Sequence, residues 1–140
     1  MNYLVYLNAQ AGELEKILSG VKTMVLREIG DAQSAAQVIK PGDSLFFFRD
    51  KDECALLGKA TVARVIYKNH FEEGLSHFLK EIQPKLQLTE DQYNRWSEKE
   101  AVLIVEFDAA RKIPVLHIAP DKIVDRSNWI AFTEFSEIAE

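Results

Sequence analysis

An α+β fold with its strands curled into a mixed, barrel-like sheet is predicted by three features of the 140-residue sequence. Short runs rich in β-branched and aromatic residues recur along the chain, and only a few helical stripes are interposed between them. Helices therefore do not alternate regularly with strands, as a doubly wound sheet requires. No internal repeat, low-complexity segment or flexible linker divides the chain. One domain over residues 1–140 is expected, with 109–140 as a C-terminal extension packed on the barrel; 47% hydrophobic content at this length suffices for its core.

Tyr3–Leu7 reads as the first strand. Leu14, Ile17, Leu18 and Val21 then follow the i, i+3, i+4, i+7 spacing of a short helix, and Gly20 stands where a helix commonly stops. Thr23–Arg27 is the second strand. Residues 28–40, with Gly30, Asp31 and Ser34-Ala35-Ala36, read as a loop that includes one helical turn. Pro41-Gly42-Asp43 predicts a tight turn, in which proline presets the first central dihedral and glycine accepts a positive φ at the second. It delivers the chain into Ser44–Arg49, where Phe46 and Phe48 share one face and Phe47 takes the other. Core packing explains these rings better than base stacking does.

The charged connection Lys51-Asp52-Glu53 leads to a long strand, Leu56–Tyr67, with Gly58 as a bulge. A helix is expected over His70–Ile82, on Phe71, Leu75, Phe78, Leu79 and Ile82, ending before Pro84. Thr89 and Gln92 form a capping box that opens a second helix running to Glu98, with Trp96 and Tyr93 assigned to its packing. Ala101–Phe107 and Ile113–Ile118 are read as two further strands, Pro114 placing the latter at an edge or at its own start. The segment Ile123–Phe135 is apolar enough to pack back onto the sheet.

The longest apolar runs fall far short of the roughly 20 residues of a membrane span, and no charged-then-apolar leader precedes Tyr3. A soluble, cytoplasmic protein is expected. The single cysteine, Cys54, excludes an internal disulfide and a cysteine-based zinc cluster, and Asp52 and Glu53 beside it disfavour a thiolate. A net charge of −5 argues against wholesale nucleic-acid wrapping. Its distribution is uneven: residues 16–68 carry nine basic and six acidic side chains, and residues 70–140 carry eight and fourteen. The charge asymmetry is compatible with a local anion-binding surface in the first half, around Lys22 and Arg27, but from sequence alone a solvated surface with ordinary charge fluctuation accounts for it better; the acidic second half suits a protein partner.

Gly20, Lys22 and Arg27 form a Gly-x-Lys-x-x-x-x-Arg segment after a strand and a helix; Pro41-Gly42-Asp43 follows as a turn into a strand, and Gly58-Lys59-Ala60-Thr61-Val62 as a return strand. In this order of elements, from about Tyr3 to Phe107, the chain resembles the PUA-like superfamily and within it the ASCH-type domains. The later segment, from Leu86 through Phe107 to Trp129, is similar to a largely archaeal branch without an assigned activity. The resemblance implies a PUA-like mixed β-barrel with flanking helices that contacts RNA or a modified nucleoside, and it implies no cofactor. It further implies that Lys22 is catalytic if the protein is an amidohydrolase like those that deacetylate acetylcytidine. Those enzymes use a threonine three residues after that lysine, and many other ASCH-type domains carry glutamate there; this chain has Val25. Glu72, Glu73 and Glu81 are the candidates for an acidic partner.

The residues themselves set conditions on that site. Lys22 works as a base or nucleophile only if desolvation or a neighbouring cation lowers its pKa, and Arg27 is a candidate both for that cation and for gripping a phosphate. The alternative is an exposed or structurally paired Arg27, with Glu28, Asp43 or Asp50 as partner. Lys22 and Arg27 are five apart, so on an uninterrupted strand they face opposite ways and share one cleft only across a bend or bulge. The expected ligand-binding set is Lys22, Thr23, Arg27, Arg64 and Trp129, with Trp129 either stacking on a base beside Asp125–Asn128 or docking the extension. His70 and His77 are too far apart along a helix to share a metal, Glu73 between them completes no ligand set and His117 is remote, so no metal is expected. No phosphate loop or nucleophile elbow is present in the sequence. RNA or modified-nucleoside binding is the leading expectation, amidohydrolysis of a modified nucleoside the alternative, and a protein-interaction module the second alternative.

Overall fold

The computed structural model describes residues 1–7, 11–28, 39–48, 55–69, 75–99, 101–119 and 129–137. The strands are β1 (Asn2–Tyr6), β2 (Met24–Glu28), β3 (Ser44–Phe48), β4 (Ala55–Asn69), β5 (Ala101–His117) and β6 (Ile130–Phe132), and the helices α1 (Glu13–Leu18), α2 (Leu75–Glu81), α3 (Gln83–Leu86) and α4 (Glu90–Ser97). Among the described residues the strands form one sheet in the order β2-β5-β4-β3-β1-β6. β1 and β3 are parallel; the other pairs are antiparallel.

Period-two alternation carries the sheet through its core. Tyr3, Val5 and Leu7 of β1 and its end, Val25 of β2, Leu45 and Phe47 of β3, Ala60 and Val62 of β4, and Val105 and Phe107 of β5 point inward, where Leu14 and Ile17 of α1 join them. The opposite faces are also covered. Met24, Leu26, Val102 and Ile104 pack under Leu79, Leu86 and Leu88 of the helical layer, and Leu4, Phe46, Phe48, Leu56, Ile118 and Phe132 form a third cluster. Burial on both faces explains why the strands read as nearly continuous apolar runs. Phe47 lies opposite to Phe46 and Phe48, as the alternation predicts.

The local signals in the sequence have direct counterparts. Gly20, at φ 87°, ends α1 in a Schellman motif: its own N–H donates to the Ile17 carbonyl, and that of Val21 to the Lys16 carbonyl, both at 3.1 Å. Gly42 has φ 95°, and the Asp43 N–H donates to the Lys40 carbonyl across the predicted turn. The Thr89 side chain and the Gln92 side chain satisfy each other's backbone N–H groups in a complete capping box.

Two expectations are corrected. The sheet is not closed into a barrel: β2 and β6 are its two edges, and the ends of the sheet meet through side chains rather than through a backbone ladder. Alternation specifies which residues face inward; it does not bring the terminal strands within hydrogen-bonding distance. The two expected strands Ala101–Phe107 and Ile113–Ile118 are one continuous strand as far as His117, because register shifts against β4 absorb the irregularity at Ala109, whose φ is 54°, and place Pro114 within a bulge of β5 itself. Pro114 thus interrupts no ladder. The helix before Pro84 ends there as expected, α2 stopping at Glu81, and Pro84 then sits in the first turn of the separate α3, where its missing N–H has no intrahelical acceptor.

Residues 109–117 continue β5, and β6 pairs with Asn2–Leu4 of β1, so the C-terminal part contributes backbone to the sheet. Cys54, His70, Glu72, Glu73 and 125–128 lie outside the described residues. His77 is exposed and pairs with Glu81 at 3.0 Å. No group of three or more metal-ligating side chains occurs among the described residues, and no helix there is long and apolar enough to cross a membrane.

Candidate functional site at the open seam of the sheet

Among the described residues β6 covers only Asn2, Tyr3 and Leu4 of β1, and no described strand pairs with the residues that follow on that side. There a cavity of about 280 Å³ opens between the two ends of the sheet, lined by Val5, Tyr6 and Leu7 from β1, Val25 and Leu26 from β2, and Trp129 just before β6. The helical layer supplies the remaining wall with Gln92, Arg95, Trp96 and Lys99 from α4 and its end, Glu13 from α1, and Lys22 and Leu88 from the connections.

Lys22 reaches this cavity because it precedes β2 and so escapes strand alternation. The Schellman turn reverses the chain, the Lys22 N–H donates to the Lys16 carbonyl at 3.0 Å, and the Thr23 N–H donates to the Lys85 carbonyl at 2.9 Å. The Lys22 side chain is 1% exposed, and its ammonium donates to the Leu86 carbonyl at the end of α3. Lys16 donates to the neighbouring Gln87 carbonyl at 3.2 Å, so two ammonium groups meet the negative end of that short helix. Burial pulls the Lys22 pKa down to about 8, against the Glu13 carboxylate, which raises it; Lys16 lowers it further. With a pKa of about 8, roughly a tenth of this amine is neutral at pH 7.

Glu13 and Gln92 are held as a pair. Gln92 donates to Glu13 Oε1 at 3.0 Å through Nε2, while its Oε1 is already committed to the Thr89 N–H. The capping box therefore orients the amide, and the amide orients a carboxylate from a helix 79 residues away. Arg27, 3% exposed, stands on the inner face of β2 with its guanidinium 5.8 Å from the centre of the Trp129 ring. Desolvation lowers its pKa, and Tyr3 opposes that effect. Trp129 itself is 7% exposed and lies 6.4 Å from the Tyr3 ring, so it both docks its segment and walls the cavity.

The same architecture occurs in solved structures. The ASCH protein from Zymomonas mobilis superposes with a TM-score of 0.69 over 97% of this chain and 90% of that one, at 11% identity. The chain has the ASCH fold. A single-substitution variant of the same Zymomonas mobilis protein gives a TM-score of 0.70 over 95% and 91% of the two chains at 13% identity. The N-terminal domain of Staphylothermus marinus McrB gives 0.54 over 97% and 90% at 10% identity. Neither a protein-family model nor a curated protein matches the sequence. The resemblance carried by Gly20, Lys22, Arg27 and Pro41–Asp43 is borne out at the level of fold.

On this ASCH fold the five expected ligand residues are divided. Lys22 and Trp129 line one cavity, and Arg27 backs Trp129 from inside the core. Thr23 is not among the lining residues; its backbone joins Lys85 and the Phe107 N–H. Arg64 lies on β4 away from the cavity lining, 55% exposed, and pairs with Glu106 at 3.2 Å. Conversely, Glu13, Gln92, Arg95, Trp96 and Lys99 enter the site although sequence reasoning assigned Trp96 to helix packing and left the other four out of the site. A signal was present: positions 92, 95, 96 and 99 follow the spacing of one helix face.

Proposed function

We propose that the seam cavity binds a modified nucleoside, free or as a single unstacked residue of RNA. The observation that carries this reading is the pairing of two tryptophans, Trp96 and Trp129, with a buried lysine in one cavity on an ASCH fold. Indole faces offer stacking to a base, and the remaining Lys22 N–H groups, the Gln92 amide and the Glu13 carboxylate offer donors and an acceptor to its polar edge. A cavity of about 280 Å³ suits one nucleoside rather than a folded RNA surface. Isothermal titration of the protein against a panel of modified nucleosides and short RNAs tests this. Binding is expected for one or a few of them, and Lys22→Ala should weaken it by at least about tenfold, the worth of a buried charge-assisted hydrogen bond. Wild-type protein that binds none of the panel at low salt would overturn the reading.

A second reading has an observation of its own. Glu13 places a carboxylate in the same cavity as an amine whose pKa is about 8, the acid–base combination that amide hydrolysis of an acetylated nucleoside needs. Val25, which also lines the cavity, supplies no hydroxyl. Acetate release from acetylcytidine, lost in Lys22→Ala, would establish turnover; binding without acetate release leaves the cavity a recognition site.

A further inference from the structure

Three side chains of α4, Gln92, Arg95 and Trp96, and that of Lys99 just past its end make a graded wall along the cavity. Gln92 is buried, Trp96 and Lys99 are partly buried, and Arg95 is exposed. Their positions span seven residues, about 10 Å along a helix axis. That is comparable with the reach from the polar edge of a base to its own phosphate. By exposure the chemistry runs outward: the amide fixed on Glu13 is buried, the Trp96 indole and Lys99 are partly buried, and the Arg95 guanidinium is exposed. Among the lining residues Glu13 is the single carboxylate, against Lys22, Arg95 and Lys99, although the whole chain carries −5. The two outer cations lie in the acidic half of the sequence, so the excess of basic side chains in the lining comes from the fold and not from composition.

Resting on the nucleoside reading above, we infer that the ligand is a nucleotide: its base enters between the tryptophans, and its phosphate is held by Arg95 and Lys99 at the outer end of the α4 face. A guanidinium and an ammonium on successive turns give a phosphate both bidentate and point-charge contacts. A free nucleoside leaves this part of the wall unused. Arg95 and Lys99 are thereby specificity-determining residues.

The test titrates adenosine, cytidine, guanosine, uridine and N4-acetylcytidine, each as the nucleoside and as its 5′- and 3′-monophosphate, into wild-type protein and into the double variant Arg95→Gln/Lys99→Gln. For the base that binds, a monophosphate is expected to bind wild type at least about tenfold more tightly than the nucleoside, and this preference should shrink as salt is raised. In the double variant the nucleoside and its monophosphate should bind equally. Equal affinity of nucleoside and monophosphate in wild type, or a preference that survives the double variant, overturns the inference and leaves the nucleoside reading intact. Failure of every nucleoside and nucleotide to bind overturns both.

Discussion

The wall formed by β3, β4 and β5 and the seam between β1 and β2 are built from the same alternating strands, yet they solve burial in opposite ways. Along the wall a backbone ladder joins each strand to the next, with β-bulges between β4 and β5, and the inward side chains Leu45, Phe47, Ala60, Val62, Val105 and Phe107 are apolar and at most 3% exposed. At the seam no ladder joins the strands. The buried polar or charged residues among those described are Lys22, Arg27 and Gln92; Lys22 and Gln92 line the cavity, and Arg27 backs its Trp129 wall. Each has a partner: a helix-end carbonyl, an indole face, or a carboxylate and a capped backbone. Where the fold does not zip its own backbone, it spends buried polar side chains instead, and those are the groups available to a ligand.

The largest expected effect sharpens the wall side of this contrast. Phe47 is fully buried, with its ring centre 5.6 Å from that of Phe107. Phe47→Ala removes an aromatic side chain from a site that backbone ladders on both sides prevent from collapsing. Chemical denaturation should show a loss of about 3–5 kcal/mol. A loss below about 1 kcal/mol would mean that the wall is as loosely filled as the seam.

On the seam side the contrast is broken or kept by pH. Because burial depresses the Lys22 pKa from its ordinary 10.5 to about 8, the unfolded chain binds more protons than the folded one between those values. The stability tied to this group is therefore complete above about pH 10.5 and is lost as pH falls through about 8. Lys22→Met keeps the volume and removes the titration. The stability of wild type minus that of the variant should rise by up to about 3 kcal/mol between pH 8 and 10.5. A flat difference would show a solvated ammonium and a seam that is open to water throughout.

How far these two regions were legible in the sequence follows from the range of the forces involved. The end of α1 at Gly20, the turn at Pro41–Asp43 and the capping box at Thr89 are contacts within a few residues, and each was readable from residue types alone. The bend that frees Lys22 from strand alternation was readable as a condition, because Gly20 and the odd spacing to Arg27 posed it. Trp96, Arg95 and Lys99 were not readable as a wall of the site. Their spacing defines a helix face, but what that face meets depends on Glu13 and the end of β1, at least 79 residues away in the chain. Barrel closure failed for the same reason: β1 pairs in parallel with β3, across more than 40 residues, and the short β6 pairs with only Asn2–Leu4 of β1.

The smallest expected effect tests whether charge outside the seam matters at all. Arg64 was expected at the ligand site on sequence grounds, but it stands on the opposite face alternation from Val65, half-exposed, and shares Glu106 with Lys85, which approaches that carboxylate at 3.0 Å. Removing Arg64 leaves Glu106 still paired, and an exposed ion pair of this kind contributes little. Arg64→Ala should therefore change stability by no more than about 0.5 kcal/mol and leave ligand affinity within about twofold of wild type. The comparison with Lys22→Ala is what gives this small number its meaning. Both substitutions delete one positive charge, so bulk electrostatics predicts similar losses, whereas a ligand held inside the seam predicts a large loss for one and almost none for the other. A tenfold weakening by Arg64→Ala would move the ligand onto the outer surface of β4 and β5, and the cavity would lose its place as the binding site.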